Sequence, residues 1–207
     1  MSQACKQSVL IVEDHDVTLA GISLTLSRYP EFVVSGALKC GSAVIETVRN
    51  GNIDLLLLDF ELPDMDGADL LAELVGQFDM RVVILTGTQN ARAFDFAQRM
   101  GASGLVSKGD SSEHIILALR AASQSKFYVS PAADAVLGNL DAPKVSLSHR
   151  QNAILHFLKT GHSNKEIGYR LGIAPPTVSF HIAELRRKLG ADHTRNILAR
   201  AEELGLY

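Results

Sequence analysis

The sequence predicts a five-stranded parallel α/β sheet followed by a small all-helical unit. Three observations carry that reading. Up to Ala122, short apolar runs alternate with longer amphipathic stretches; residues 123–146 then lapse into Ser, Pro, Gly and Asn; from Leu147 onward only helical periodicity remains. Formal charge divides the same way, with 9 Lys/Arg against 16 Asp/Glu over residues 1–124 and 9 against 5 over residues 147–207, in a chain of net −3. An acidic front suits metal or cationic chemistry, and a basic rear suits polyanions.

Each element follows from its residues. "SVLIVED" (8–14), "FVVSGAL" (32–38), "IDLLLLD" (53–59), "RVVILTG" (81–87) and "SGLVSKG" (103–109) are β-branched or leucine-rich runs of buried-strand type. Helical stretches fall between them near 16–28, 42–50, 67–77, 90–100 and 112–123, with Asp66 as cap of the third and Asp110 or Ser111 as cap of the last. Five β–α repeats with short loops give a parallel sheet in flavodoxin-like order, covered on both faces because crossovers are right-handed. The expected organisation is a first domain over residues 1–123, a linker with a short helix near 131–138 over residues 124–146, and a helical domain over residues 147–207. That last domain divides into helices near 148–159, 163–171, 175–189 and 194–205, with Gly161, Gly172 and Gly190 at the breaks.

The bulk numbers exclude several classes. At 46% hydrophobic and 21% charged the composition is that of an ordinary globular chain. No apolar run approaches the roughly 18–20 residues of a membrane span, and the N-terminus meets charge too early for a secretory signal. Cys5 and Cys40 form neither a metal spacing nor a disulfide framework, so a reducing cytoplasm is the expected location, without a membrane partner. A nucleotide-binding enzyme of this fold would carry a glycine-rich loop after the first strand; "VEDHD" stands there instead, and the chain reads as no enzyme.

In an open parallel sheet, functional groups collect at the carboxyl ends of the strands. Here those ends are Glu13 and Asp14, Asp59, Thr86 and Lys108. Strands one and three would be neighbours, so three carboxylates converge and repel unless a cation intervenes. A hard divalent ion, Mg²⁺ above all, resolves that conflict. Lys108 and Thr86 are fit to hold phosphoryl oxygens, which makes Asp59 a nucleophile for phosphoryl transfer. Asp16, Asp64, Asp66 and Asp69 read as caps and solvated positions, and His15 as an exposed loop residue.

The pair "ED" (13–14), the stretch "LLLLDFELPDMDG" (55–67), "TG" (86–87) and "GASGLVSKG" (101–109) together resemble a response-regulator receiver domain over residues 9–122. That resemblance implies phosphorylation of Asp59 by a partner sensor histidine kinase. It implies Mg²⁺ held by Glu13 or Asp14, Asp59 and the backbone carbonyl of Glu61, and a switch through Thr86 and an aromatic residue three positions before the lysine. That last position is Leu105, and a leucine cannot offer the same ring contrast.

"GHSNKEIGYRLGIAPPTVSFHIAELRRKLG" (161–190) reads as helix, tight turn, helix, with Pro175 and Pro176 in the first turn of the second helix. Val178, Ile182, Leu185 and Leu189 form its buried face. A helix-turn-helix lays such a helix in the DNA major groove. The candidate contacts are Lys165, Thr177, Ser179, Phe180, His181, Ala183, Arg186, Arg187 and Lys188, with Arg195 a further phosphate neutraliser. Phe180 is either a reader of a thymine methyl or a core or dimer-contact residue. His156, His162 and His181 form no ligand spacing and read as satisfied or exposed.

With "LSHRQNAIL" (147–155) and the final amphipathic helix, this half is similar to the LuxR-type DNA-binding domain of NarL/FixJ regulators. The resemblance implies a homodimer when active. Ala174 stands at the usual capping hydroxyl, Ser179 and Ala183 at positions often basic, and His149 at a usual proline. The expected function is a DNA-binding transcriptional regulator activated at Asp59. Two alternatives stay open: DNA binding under phosphate-independent control, and a helix-turn-helix that binds protein.

Overall fold

The computed structural model describes residues 6–87, 90–138 and 145–206; Cys5 lies outside them. The strands are β1 (Gln7–Val12), β2 (Phe32–Leu38), β3 (Leu55–Asp59), β4 (Arg81–Thr86), β5 (Gly104–Ser107) and β6 (Tyr128–Val129). They pair in parallel in the order β2-β1-β3-β4-β5-β6. The interleaved helices are α1 (Asp16–Leu26), α2 (Val44–Asn50), α3 (Gly67–Gln77), α4 (Ala91–Met100) and α5 (Glu113–Ser123). After α6 (Pro131–Leu137) come α7 (His149–Lys159), α8 (Asn164–Leu171), α9 (Pro175–Leu189), a 3₁₀ turn at Thr194–Asn196 and α10 (Ile197–Glu203). Among the described residues no helix is long and apolar enough to cross a membrane.

Among the described residues the expected five strands are six. Tyr128–Val129, read from sequence as linker, pairs with Gly104–Leu105, and the Ser130 N–H continues the ladder to the Leu105 carbonyl. Ser125, at φ 56°, turns the chain back along β5. Two residues are too few to show a strand period, so composition alone gave no sign of it. The cap expected of Asp110 or Ser111 also differs. Ser112 precedes α5 without a side-chain cap, and the Asp110 carboxylate accepts the Ala132 N–H instead, tying α6 to the β5–α5 loop.

Alternation along the central strands sends side chains to two cores. Val9, Ile11, Leu55, Leu57, Val83, Leu85 and Val106 face α1 and α5. Leu10, Val12, Leu56, Leu58, Val82, Ile84 and Leu105 face the side of α2, α3 and α4. Leu55 to Leu58 are at most 1% exposed. Burying each such leucine contributes roughly 1.5–3 kcal/mol, enough to hold a carboxylate fixed at the end of their strand.

Helix α3 is buried along Leu70, Leu71, Ala72 and Leu74, too wide a face for the sheet alone. It packs on the sheet and also on α7 and α8, so the second core and the C-terminal helices form one cluster. Gly76 permits that approach: a Cβ there would lie 2.7 Å from Leu171 Cδ2 and 3.3 Å from its Cα.

Candidate functional site

Register brings the strand ends together. Val12 pairs with Leu58, Asp59 with Leu85, and Thr86 with Ser107, so Glu13, Asp59, Thr86 and Lys108 fall side by side at one sheet edge. Glu13, Asp59 and Thr86 are at most 1% exposed. Lys108 Nζ lies 2.7 Å from Asp59 Oδ2 and 2.9 Å from Glu13 Oε2. The other Asp59 oxygen accepts the Glu61 N–H at 3.0 Å, and the Lys108 N–H donates to the Thr86 carbonyl at 2.8 Å.

Burial holds the Asp59 carboxyl above its ordinary range, against the pull of Lys108 and the Glu61 N–H. Burial works to lower the Lys108 ammonium, but its hydrogen bond to Asp59 and its close contact with the Glu13 carboxylate outweigh it and hold the group above its usual value. One cation thus serves a carboxylate pair. Asp14 adds a third acid at the rim, with ligand atoms of Glu13, Asp14, His15 and Asp59 all within 4.8 Å of one another. Glu13 Oε2 and Asp14 Oδ1 are buried without a hydrogen bond of good geometry, although Lys108 and His15 nitrogens stand within ion-pair distance. Hard oxygen donors with unused lone pairs fit a divalent cation.

His15 is exposed, as its loop position implies, yet joins this rim: Nδ1 lies 2.7 Å from Asp14 and 3.1 Å from Glu13. The Glu13 hydrogen bond, then the Asp14 charge, raise its pKa. Leu105 is fully buried in β5, on the face toward α4. Asp66 caps α3 by accepting the Ala68 N–H at 2.7 Å. Asp64 accepts the Gly41 and Ser42 N–H groups.

The second constellation lies on α8 and α9. Ser163 and Glu166 form a capping box at the start of α8, and Gly172, at φ 64°, makes the turn into α9. Val178, Ile182, Leu185 and Leu189 are buried. Lys165, Thr177, Ser179, Phe180, Ala183, Arg186, Arg187 and Lys188 are exposed, and His181 is half-buried with Nδ1 unpartnered. At 61% exposure Phe180 is no core residue, which removes one of its three readings. Lys188 is engaged locally, donating to Gln151 Oε1 at 2.9 Å.

Between the two constellations runs an interface that the sequence did not announce. His156 Nε2 meets Asp69 Oδ1 at 2.5 Å, and Arg170 pairs with Glu73. Asp69 is thus an interdomain partner rather than a solvated position, and its carboxyl is held below the usual range by the His156 hydrogen bond, against burial. Helix ends are served too. The Arg99 carbonyl at the end of α4 accepts from His149 Nδ1 at 2.9 Å and Asn152 Nδ2 at 2.8 Å; the Gly76 carbonyl of α3 accepts from Arg150 at 2.9 Å. These are orphan groups of helix C-termini, where positive donors are favoured. Asp69 and His156 stand 87 residues apart, and neither carries a local motif.

Comparison with known proteins follows the same division. The response regulator receiver domain matches residues 9–120, and the luxR family of bacterial regulatory proteins matches residues 145–201. Fimbriae Z protein of Salmonella typhimurium is 32% identical over 190 residues, covering 88% of this chain and 90% of that one. A probable transcriptional regulatory protein, SgaR, of Hyphomicrobium methylovorum is 29% identical over 191 residues, covering 92% and 90%. Among solved structures, the RcsB response regulator of Salmonella typhimurium superposes with a TM-score of 0.64 at 21% identity, over 96% of this chain and 100% of that one.

Proposed function

The chain belongs to the response-regulator receiver family and carries a LuxR-type DNA-binding region, and from that premise we propose that it is a DNA-binding transcriptional regulator switched by phosphorylation at Asp59. The proposed units are a receiver over residues 1–123, a linker over residues 124–146 and a DNA-binding domain over residues 147–207. The observation that carries the reading is the buried Asp59 carboxylate, held between Lys108 and the Glu61 N–H at the edge of an acid-rich rim.

The proposed chemistry is an in-line transfer. An Asp59 oxygen attacks phosphorus, an acyl phosphate O–P bond forms, and the donor's bond to phosphorus breaks, leaving a histidine imidazole on a kinase or acetate from acetyl phosphate. Lys108 neutralises phosphoryl oxygens, and the Thr86 hydroxyl serves as their donor. Glu13, Asp14, Asp59 and the Glu61 carbonyl would hold Mg²⁺, which when bound offsets charge that builds on the transferring group. Glu13, Asp14 and Asp59, with ligand atoms within 4.8 Å of one another, offer the hard oxygen donors that such an ion would need.

Transmission is proposed through α4 rather than through a swinging aromatic at position 105. Helix α4 starts just beyond Thr86 and ends on the Arg99 carbonyl that His149 and Asn152 hold. The exposed α9 side chains then bind DNA as a homodimer, a role supported by the DNA complexes known for the structurally similar RcsB. The reduced groove charge at Ser179 and Ala183 leaves Phe180 as the apolar reader, with Arg186 and Arg187 on phosphates.

The fully buried aliphatic Leu105 favours a second reading, DNA binding under phosphate-independent control. A gel shift on the protein's own promoter region, with and without acetyl phosphate and Mg²⁺, separates the two. The proposal expects tighter binding after treatment; equal affinity with and without it gives the field to the second reading. In either case Arg187→Ala should weaken binding for all sequences and reduce the salt slope by about one.

A further inference from the structure

A cavity of about 900 Å³ opens between the N-terminal sheet domain and the C-terminal helices. None of Glu13, Asp14, Asp59, Thr86 or Lys108 lines it; its walls are the β3–α3 loop and α4 on one side and α7 and α10 on the other. Four cationic side chains, Arg92, Arg99, Lys159 and Arg195, reach it from both domains. Two acids face them, and one of these, Asp66, already caps α3. Arg99 is only partly satisfied: Asp95 takes Nη2, while Nε and Nη1 are buried without a hydrogen-bond partner. Phe60 and Phe96 add flat apolar surface, and the Phe96 ring lies 5.0 Å from that of His156.

Clefts at domain interfaces, of roughly 300–1,000 Å³ and lined by aromatics with a few convergent polar groups, are where small ligands bind. Guanidinium groups gathered from two domains, Arg92 and Arg99 from one and Arg195 from the other, favour an anion between them, and arginine suits phosphate in particular. We propose that this cleft binds a phosphorylated small molecule with a planar ring, a free nucleotide in the simplest case, with phosphate on the Arg92–Arg195 side and the ring against Phe60 and Phe96. Such a ligand touches both domains and therefore favours the docked arrangement over an open one. The inference is independent of phosphoryl chemistry at Asp59.

The test is isothermal titration of the full-length protein, without Mg²⁺, against AMP, GMP, ATP, GTP and inorganic pyrophosphate. The expected result is one site per chain for at least one nucleotide, with Kd below about 100 μM. That Kd should rise about tenfold or more in Arg92→Glu and in Arg195→Glu, and stay unchanged in Arg187→Glu and Asp59→Asn. Arg92 and Arg195 are exposed, so both reversals leave the fold intact. The proposal fails if no nucleotide saturates by about 1 mM, or if binding survives both reversals. It fails equally if pyrophosphate binds as tightly as every nucleotide, or if Arg187→Glu weakens binding as much as the other two.

Discussion

Two charged clusters, one at the strand ends and one where α3 meets α7 and α8, are built by opposite rules. At the strand ends, Glu13, Asp14 and Asp59 share Lys108 and the edge of His15, and two of their buried oxygens have no hydrogen bond of good geometry. Across the domain boundary, Asp69 and Glu73 meet His156 and Arg170, and Arg150, His149 and Asn152 close the helix ends. The first cluster is short of positive charge and the second is matched. A balanced interface holds parts in place. An unbalanced pocket is receptive: it gains free energy from whatever cation or phosphoryl group completes it, which is why the chemistry is assigned there and not to the more extensive interface.

Removing a partner should expose that difference. Lys108→Ala leaves two buried carboxylates facing each other, and the expected loss is the largest, about 3–5 kcal/mol by urea unfolding at neutral pH. A loss below 1 kcal/mol, on the order of a surface pair, would mean that the pocket is wetter than its burial implies. Asp69→Asn should cost less, roughly 1.5–3 kcal/mol for a hydrogen bond to a charged group. The sign of its pH dependence follows from the lowered pKa: the contribution is full above the ordinary carboxylate range and disappears only as pH falls through the depressed value. Domain docking measured by small-angle scattering should therefore be flat from neutral pH down to that range. Weakening already between pH 5 and 7 would sink the assignment of Asp69 as the controlling group. Glu73→Gln should change least, by no more than about 1 kcal/mol. Burial, outweighing Arg170, already raises its pKa, and Arg170 keeps access to water.

The same contrast separates what was legible in the sequence from what was not. The pocket was legible because each of its groups ends an apolar run, and register in a parallel sheet then forces Glu13, Asp59, Thr86 and Lys108 to one edge. Helix α9 was legible because Pro175, Pro176 and Gly190 mark its ends and Val178 to Leu189 mark its buried side. The interface had no such local grammar. His156 and Asp69 are single residues on separate helices, and the Arg99 and Gly76 carbonyls carry no sequence signal at all. The Asp110 cap failed because a better donor, the Ala132 N–H, arrives from 22 residues away. His15 was assigned correctly as exposed, yet its contact with Asp14 and Glu13 depended on the loop path, which periodicity does not encode.

The central claim is that the unbalanced pocket accepts phosphorus on Asp59. Mass spectrometry with peptide mapping, after incubation with acetyl phosphate and Mg²⁺, measures this directly. One phosphoryl group on the peptide bearing residue 59, absent from Asp59→Asn, is the predicted result; an unmodified wild type under conditions that label an ordinary receiver, or equal labelling of the variant, would contradict it.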